Sequence, residues 1–90
     1  MFKVNQLLVA TRSFEVELCG CETIDIRKDQ IVRVHEQSNN DEISIQTQSD
    51  SDSYWLSDED ELNFRALAPR ERPYARERFE QAHAYHIAHI

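Results

Sequence analysis

Apolar and polar residues alternate through the first half of the chain. Phe14, Val16 and Leu18 are separated by Glu15 and Glu17, a period of two that is typical of a strand with one buried face. The same alternation returns in three later runs: Ile24 and Ile26; Ile31 or Val32 with Val34; and Ile43, Ile45 and Thr47. The pattern therefore predicts a succession of short strands.

The intervening segments have the composition of turns. Gly20, the only glycine, lies between two alternating runs and predicts a hairpin turn that requires a positive φ angle. Residues 27–30 and residues 38–41 predict two further turns. Residues 1–10 favour a strand because Val4, Leu8 and Ala10 alternate loosely, and residues 54–56 predict a last short strand.

The second half of the chain has a helical pattern. Ser57 is a suitable N-cap, and the acids that follow it suit the positive end of a helix dipole. This pattern predicts a short helix over residues 57–68, which ends before Pro69. A second helix over residues 72–90 starts near Pro73. Its predicted buried face contains Ala75, Phe79, Ala82, His86 and Ile90.

These elements predict an α+β fold in a single domain, residues 1–90. Residues 1–56 form a small antiparallel sheet or partly open barrel of about five strands, and two C-terminal helices follow. A chain of 90 residues can bury one modest core and has little volume for a deep pocket. No apolar run is long enough for a membrane span, and two cysteines, Cys19 and Cys21, favour a reducing cytoplasm over secretion.

Charge is distributed unevenly along the sequence. The net charge is −7, yet residues 1–35 are neutral and residues 62–90 carry an excess of arginine. The excess negative charge lies in residues 36–61, which contain no lysine or arginine and nine acids: Glu36, Asp41, Glu42, Asp50, Asp52, Asp58, Glu59, Asp60 and Glu61. This uneven distribution of charge is informative about binding partners rather than about the fold.

Candidate catalytic and metal-binding groups are sparse. Cys19 and Cys21 have no second cysteine pair to complete a structural zinc site. His83, His86 and His89 are spaced so that neighbouring pairs share a helix face, but the outer two diverge, so a metal would need another ligand. No glycine-rich phosphate loop and no nucleophile–base arrangement is present. We therefore predict no catalytic residue, no metal site and no cofactor.

The arginines between Arg65 and Arg78 allow three interpretations. They form a solvated helix face, dock against the acidic segment or a second copy of the chain, or contact phosphates of nucleic acid. Glu71, Glu77 and Glu80 interrupt the run, and nucleic-acid-binding domains are normally basic. The solvated face is favoured over direct nucleic-acid binding, and Arg76 and Glu80 are spaced to pair.

The acidic segment suggests a function in binding. Two aromatic residues lie among its acids, and Trp and Tyr often anchor interfaces. The leading hypothesis is a non-enzymatic module that binds a basic surface on a protein partner. In its specific form it is an inhibitor that imitates the charge of nucleic acid, as phage anti-restriction or anti-CRISPR proteins do. The predicted partner-binding residues are Asp50, Asp52, Tyr54, Trp55, Asp58, Glu59, Asp60 and Glu61.

Two other functions stay open. One is a metal- or ligand-responsive regulator that uses the C-terminal histidines, and the other is a nucleic-acid-binding module that uses the arginine-rich helix. A homodimer is compatible with each of these hypotheses.

Overall fold

A computed structural model describes residues 2–18, 22–48 and 52–88. Seven strands and two helices are present in these residues. The elements are β1 (Leu7–Ala10), β2 (Phe14–Glu17), β3 (Thr23–Ile26), β4 (Ile31–Gln37), β5 (Ile43–Thr47), β6 (Ser53–Trp55), α1 (Asp58–Glu61), β7 (Phe64–Ala66) and α2 (Arg72–Ala88).

The strands form two separate antiparallel sheets. Five strands make one sheet in the order β6-β5-β4-β1-β7, and β2 pairs with β3 as a hairpin. The predicted α+β class and the sheet of about five strands are confirmed. The strands on either side of Gly20, β2 and β3, pair with each other. The predicted turn itself falls on residues 19–21, which lie outside the described residues.

Two of the predicted turns are confirmed by backbone geometry. Asp29 has φ 71° between β3 and β4, and Asp41 has φ 65° between β4 and β5. Aspartate tolerates the left-handed region better than most residues do, because its short side chain bonds the nearby backbone. These turns bring β4 back beside β1 and β5 back beside β4.

The molecule has three layers, with the five-stranded sheet in the middle. One core lies between the sheet and the β2–β3 hairpin, and its fully buried members include Leu8, Val16 and Ile45. The second core lies between the opposite face of the sheet and α2, and it includes Val9 and Phe79. The hairpin and α2 therefore cover opposite faces of the sheet.

The position of β1 explains why its sequence does not alternate. This strand lies between β4 and β7, and all four of its residues are buried because both of its faces are covered. Val4, by contrast, lies in an exposed turn. The prediction of a strand over residues 1–10 is thus correct only from Leu7 onward.

The predicted helix over residues 57–68 is only one turn long. Ser57 caps it as expected, since the backbone N–H of Asp60 donates to the Ser57 Oγ at 3.2 Å. The chain then turns and forms β7, in which Phe64 pairs with Ala10 of β1. Phe64 is buried and meets the ring of Phe14 edge to face at 5.5 Å between centroids. Burial of this ring against the hairpin outweighs the weak preference of a short segment for helix.

Helix α2 matches the predicted second helix up to Ala88, but its buried face differs from the prediction. Ala75 and Phe79 are buried as expected, whereas the next buried residue is His83 rather than His86, which is exposed. Ala82 is half-buried, and Ile90 lies outside the described residues. Buried residues therefore recur at every fourth position, on the side of α2 that packs against the sheet.

In the part of the chain that the structure describes, no helix combines the length and the apolarity that crossing a bilayer requires.

Candidate protein-binding surface

Trp55 lies at the end of β6, which is an edge strand of the sheet. Its side chain is 46% exposed, while the next residue, Leu56, is 1% exposed and occupies the core. Tyr54, directly opposite Ile45 of β5, is half-buried. The core is thus completed by Leu56, and Trp55 remains available at the surface.

Carboxylates surround this exposed tryptophan. A concave surface of about 550 Å³ is lined by Trp55, Leu56 and Ser57 together with five acids, and we refer to it as the acidic groove. Its acids are Glu15, Glu17, Glu42, Glu59 and Asp60. They come from β2, from the residue before β5, and from α1.

Local structure explains how each wall of the groove presents its acids. In β2 the side chain of Val16 is fully buried, so the alternating positions of Glu15 and Glu17 face solvent. In α1 the N-cap at Ser57 places the acids of the first turn outside the core, and this helix has no buried residue. The tertiary packing of the hairpin then places both walls around Trp55.

A second depression adjoins the acidic groove. It has a volume of about 660 Å³ and shares Glu17 and Trp55 with the groove. Its other lining residues include Asp52 and Tyr54, and Glu22 from the far end of the hairpin. Trp55 therefore lies between two concave surfaces that both carry acids, and no lysine or arginine is among the described residues that line them.

The acids at the α1 side of the groove are close enough to influence one another. Partial burial raises the pKa of Glu61, and the negative charges of Asp58, Glu42 and Asp41 raise it further. A carboxyl group with a raised pKa in the folded state is destabilised in its ionised form. Residues 41–42 and α1 thus form a region in which like charges repel.

Salt bridges between described residues do not neutralise this region. The salt bridges found in the described residues join His35 to Glu36, Arg65 to Glu71 and Arg76 to Glu80. The last of these is the predicted i, i+4 pair, with a distance of 3.7 Å between Arg76 Nη1 and Glu80 Oε1. None of the three involves a carboxylate of the acidic groove.

The C-terminal arginines lie on other parts of the molecule. Glu71 accepts hydrogen bonds from the backbone N–H of Ala68 and from the Arg65 guanidinium, and these interactions lower its pKa. Arg78 lies over the ring of Tyr74 at 5.5 Å from the centroid. Since α2 and the hairpin cover opposite faces of the sheet, the interpretation in which these arginines dock against the acidic segment is not supported in the described residues.

The structure brings together part of the predicted binding set. Trp55, Glu59 and Asp60 line the acidic groove, and Asp52 and Tyr54 line the adjoining depression. Asp58 and Glu61 flank the groove near Glu42. Asp50 lies outside the described residues.

Sequence reasoning missed three acids of the groove. Glu15 and Glu17 belong to a segment that is neutral overall, and Glu42 was counted only as part of the central excess. The alternation of Glu15 and Glu17 with buried residues was the available signal, because it shows that both face solvent on one side of the hairpin.

The two C-terminal histidines that the structure describes, His83 and His86, do not converge on one site. His83 is buried and stacks on Phe79 with 5.7 Å between ring centroids. His86 is exposed and meets Tyr85 edge to face. Among the described residues no group of three His, Cys, Asp or Glu side chains is arranged to hold a metal ion. His89 and both cysteines lie outside those residues.

Comparisons of the chain with known protein families, with curated proteins and with solved structures find no match.

Proposed function

We propose that this protein is a non-enzymatic binding module whose acidic groove engages a basic surface on a protein partner. The single observation that carries the proposal is the acidic groove itself, where five carboxylates without a salt bridge to any described residue surround the exposed Trp55. An exposed aromatic residue in a charged rim is a common anchor for an interface.

The cost of this arrangement to folding supports a role outside folding. Glu15 lies directly opposite Asp25 in the β2–β3 hairpin, and like charges in that position destabilise a strand pair. The raised pKa of Glu61 shows that its ionised form is also unfavourable, first because of partial burial and then because of the charge of Asp58. A partner that brings cations to this surface stabilises the ionised carboxylates and gains from electrostatic steering during encounter.

The specific form of the proposal is an inhibitor that occupies a nucleic-acid site. Enzymes and regulators that process nucleic acid hold the phosphate backbone in basic channels. A compact protein with a field of carboxylates around an aromatic ring offers such a channel both negative charge and a stacking surface. We expect this activity in the cytoplasm, where such effectors act.

The test is a capture experiment with charge variants. The double variant Glu15→Gln/Glu17→Gln removes two charges from the groove wall. The matched control Asp29→Asn/Glu77→Gln removes the same charge from exposed positions in the β3–β4 turn and on α2, which line neither concave surface beside Trp55. Each protein is immobilised and exposed to cell extract. After washing, the captured proteins are eluted with increasing concentrations of duplex DNA.

We expect the wild type and the control variant to capture the same protein and to release it as DNA is added. The groove variant should hold that protein at least about tenfold more weakly, since two charged contacts are lost. Trp55 is the only tryptophan, so its fluorescence should change when the purified partner binds. Equal capture by all three proteins, or release that is insensitive to DNA, would contradict the proposal.

A further inference from the structure

A basic cleft lies between the turn that precedes β1 and the first turns of α2. It has a volume of about 530 Å³ and is lined by Lys3, Val4, Asn5, Gln6, Leu7, Arg72 and Arg76. Three of these residues are cationic and none is acidic. In a protein with a net charge of −7, a concave surface of this composition is a distinct feature.

Hydrogen bonds to the sheet hold the turn of the cleft in place. The backbone N–H of Asn5 donates to the Val34 carbonyl at 2.8 Å, and the N–H of Val34 donates to the Gln6 carbonyl at 2.9 Å. Asn5 has φ 70°, in the left-handed region. The backbone N–H of Lys3 donates to the Gln6 Oε1 at 2.9 Å. The wall of the cleft that carries Lys3 is therefore tied to β4.

The two arginines of the opposite wall are oriented by backbone carbonyls. Arg76 Nη2 donates to the Asn5 carbonyl at 2.9 Å, and Arg72 Nε donates to the Leu67 carbonyl at 3.3 Å. Each guanidinium has five N–H donors, so several donors remain on both side chains. A guanidinium that is already oriented loses less conformational entropy when an anion binds.

The charge of the cleft is only partly balanced. Glu80 lies 3.7 Å from Arg76, but no salt bridge to Arg72 or Lys3 is found in the described residues. Arg72 and Arg76 are four residues apart on one helix, and like charges at this spacing destabilise a helix. An anion between them and Lys3 removes this repulsion.

We propose that the basic cleft binds a phosphate group. Planar guanidinium groups match the geometry of phosphate oxygens, and an ammonium group adds a third positive charge. The same chemistry is offered by a small phosphorylated molecule and by the backbone of a nucleic acid. The site is independent of the acidic groove, because it is lined by the turn before β1 and by α2, on the face of the sheet away from the hairpin.

The experiment is a titration that is monitored through the backbone amide chemical shifts of residues 3–7. The probes are inorganic phosphate, a single-stranded DNA oligonucleotide, and potassium chloride at matched ionic strength. The site variants are Lys3→Gln, whose side chain is exposed, and Arg72→Gln. The matched control is Arg70→Gln, which removes an exposed arginine two residues away that does not line the cleft. Circular dichroism verifies that each variant keeps α2.

We expect phosphate to cause saturable shifts in the wild type that potassium chloride does not reproduce. Each site variant should bind about tenfold more weakly, as for the loss of one charge-assisted hydrogen bond, and Arg70→Gln should bind as the wild type does. Tighter binding of DNA than of phosphate at the same amides identifies a nucleic-acid backbone as the source, and the reverse order identifies a small phosphorylated molecule. Absence of saturable binding by both probes, or equal weakening by Arg70→Gln, would overturn the proposal.

Discussion

Glu15 and Asp25 occupy directly opposite positions on the two strands of the β2–β3 hairpin, and both are exposed. The neighbouring pair on the same face is Glu17 with Thr23. One strand therefore contains two glutamates in similar surroundings, of which only one faces a second carboxylate. This difference allows the cost of the like-charge pair to be measured within the hairpin.

We expect Glu15→Gln to increase the free energy of unfolding by about 0.5 kcal/mol, since a like-charge pair in a strand ladder is removed. Glu17→Gln is the matched control and should change stability less, because Thr23 is uncharged. Urea denaturation at low ionic strength measures both variants. The same two substitutions together should weaken partner capture. Binding would then be reduced in a protein that is still fully folded. A destabilised Glu15→Gln variant would show that the carboxylate has a favourable contact.

Glu61 predicts a pH dependence of stability. Its pKa is raised in the folded protein by partial burial, by Asp58 and by Glu42. An acid with a raised folded-state pKa destabilises the fold above that pKa, and the penalty disappears as the pH falls below the pKa of the unfolded chain. Glu61→Gln should therefore stabilise the protein at neutral pH and have little effect in acid.

The measurement is the urea midpoint of wild type and Glu61→Gln across the acid range, with Glu59→Gln on the same helix as the control. A stability difference between wild type and Glu61→Gln that is constant with pH would rule out the ionised carboxylate as its source.

Phe79 connects α2 to the sheet. Its ring is fully buried, and the guanidinium of Arg33 in β4 lies 5.2 Å from its centroid. Arg33 Nη2 also donates to Gln46 Oε1 at 2.8 Å. We expect Phe79→Ala to reduce the free energy of unfolding by about 3–5 kcal/mol, which is the usual cost of removing a buried aromatic ring.

Tyr74→Ala serves as the control for Phe79, because Tyr74 is 67% exposed on the same helix and its loss should cost at most about 1 kcal/mol. Guanidinium denaturation followed by circular dichroism measures both. A small effect of Phe79→Ala would mean that α2 contributes little to the core.

His83 contains a buried polar atom that lacks a hydrogen-bond partner within the described chain, its Nδ1. Such an atom costs about 1–3 kcal/mol, whereas an apolar ring of similar shape keeps the stacking on Phe79. We expect His83→Phe to raise the thermal midpoint, and His86→Phe at an exposed position to leave it unchanged. If His83→Phe lowers the midpoint, the imidazole makes a favourable hydrogen bond in solution.

Much of the strand half was predictable because its local pattern and its tertiary environment agree. Val16 and Ile26 alternate with polar residues and are buried in one layer, as the period of two requires. The positions of Asp29 and Asp41 also follow from turn composition. In these segments the face that the sequence pattern marks as apolar is the face that packs between the hairpin and the sheet.

The errors arose where a distant contact determines the structure. Leu62 and Ala66 fit a helical spacing, yet Leu62 is 82% exposed and Ala66 pairs with Leu8 of β1. That pairing joins residues far apart in sequence, and no local propensity encodes it. Likewise, His83 is buried in place of the predicted His86, because the direction in which α2 crosses the sheet determines which side of the helix is covered.

The candidate site was predictable only from its α1 side. Counting charge by segment identified Glu59 and Asp60 beside Trp55, since all three are close in sequence. It could not identify Glu15 and Glu17, because these acids reach the groove only when the hairpin packs on the sheet. A segment with no net charge can therefore still contribute a charged wall.

Strand hydrogen bonds join β2 only to β3 in the described residues, so the hairpin rests on the sheet through apolar packing. One wall of the acidic groove is β2 of the hairpin, and the other is Trp55 of the five-stranded sheet together with α1. The groove therefore lies across the boundary between the hairpin and the sheet. The spacing of its carboxylates accordingly depends on apolar contacts between hairpin and sheet, such as that between the partly buried Phe14 and the buried Phe64. Under the proposed function, core side chains that are not part of the groove surface would therefore determine which partner surface fits between its walls.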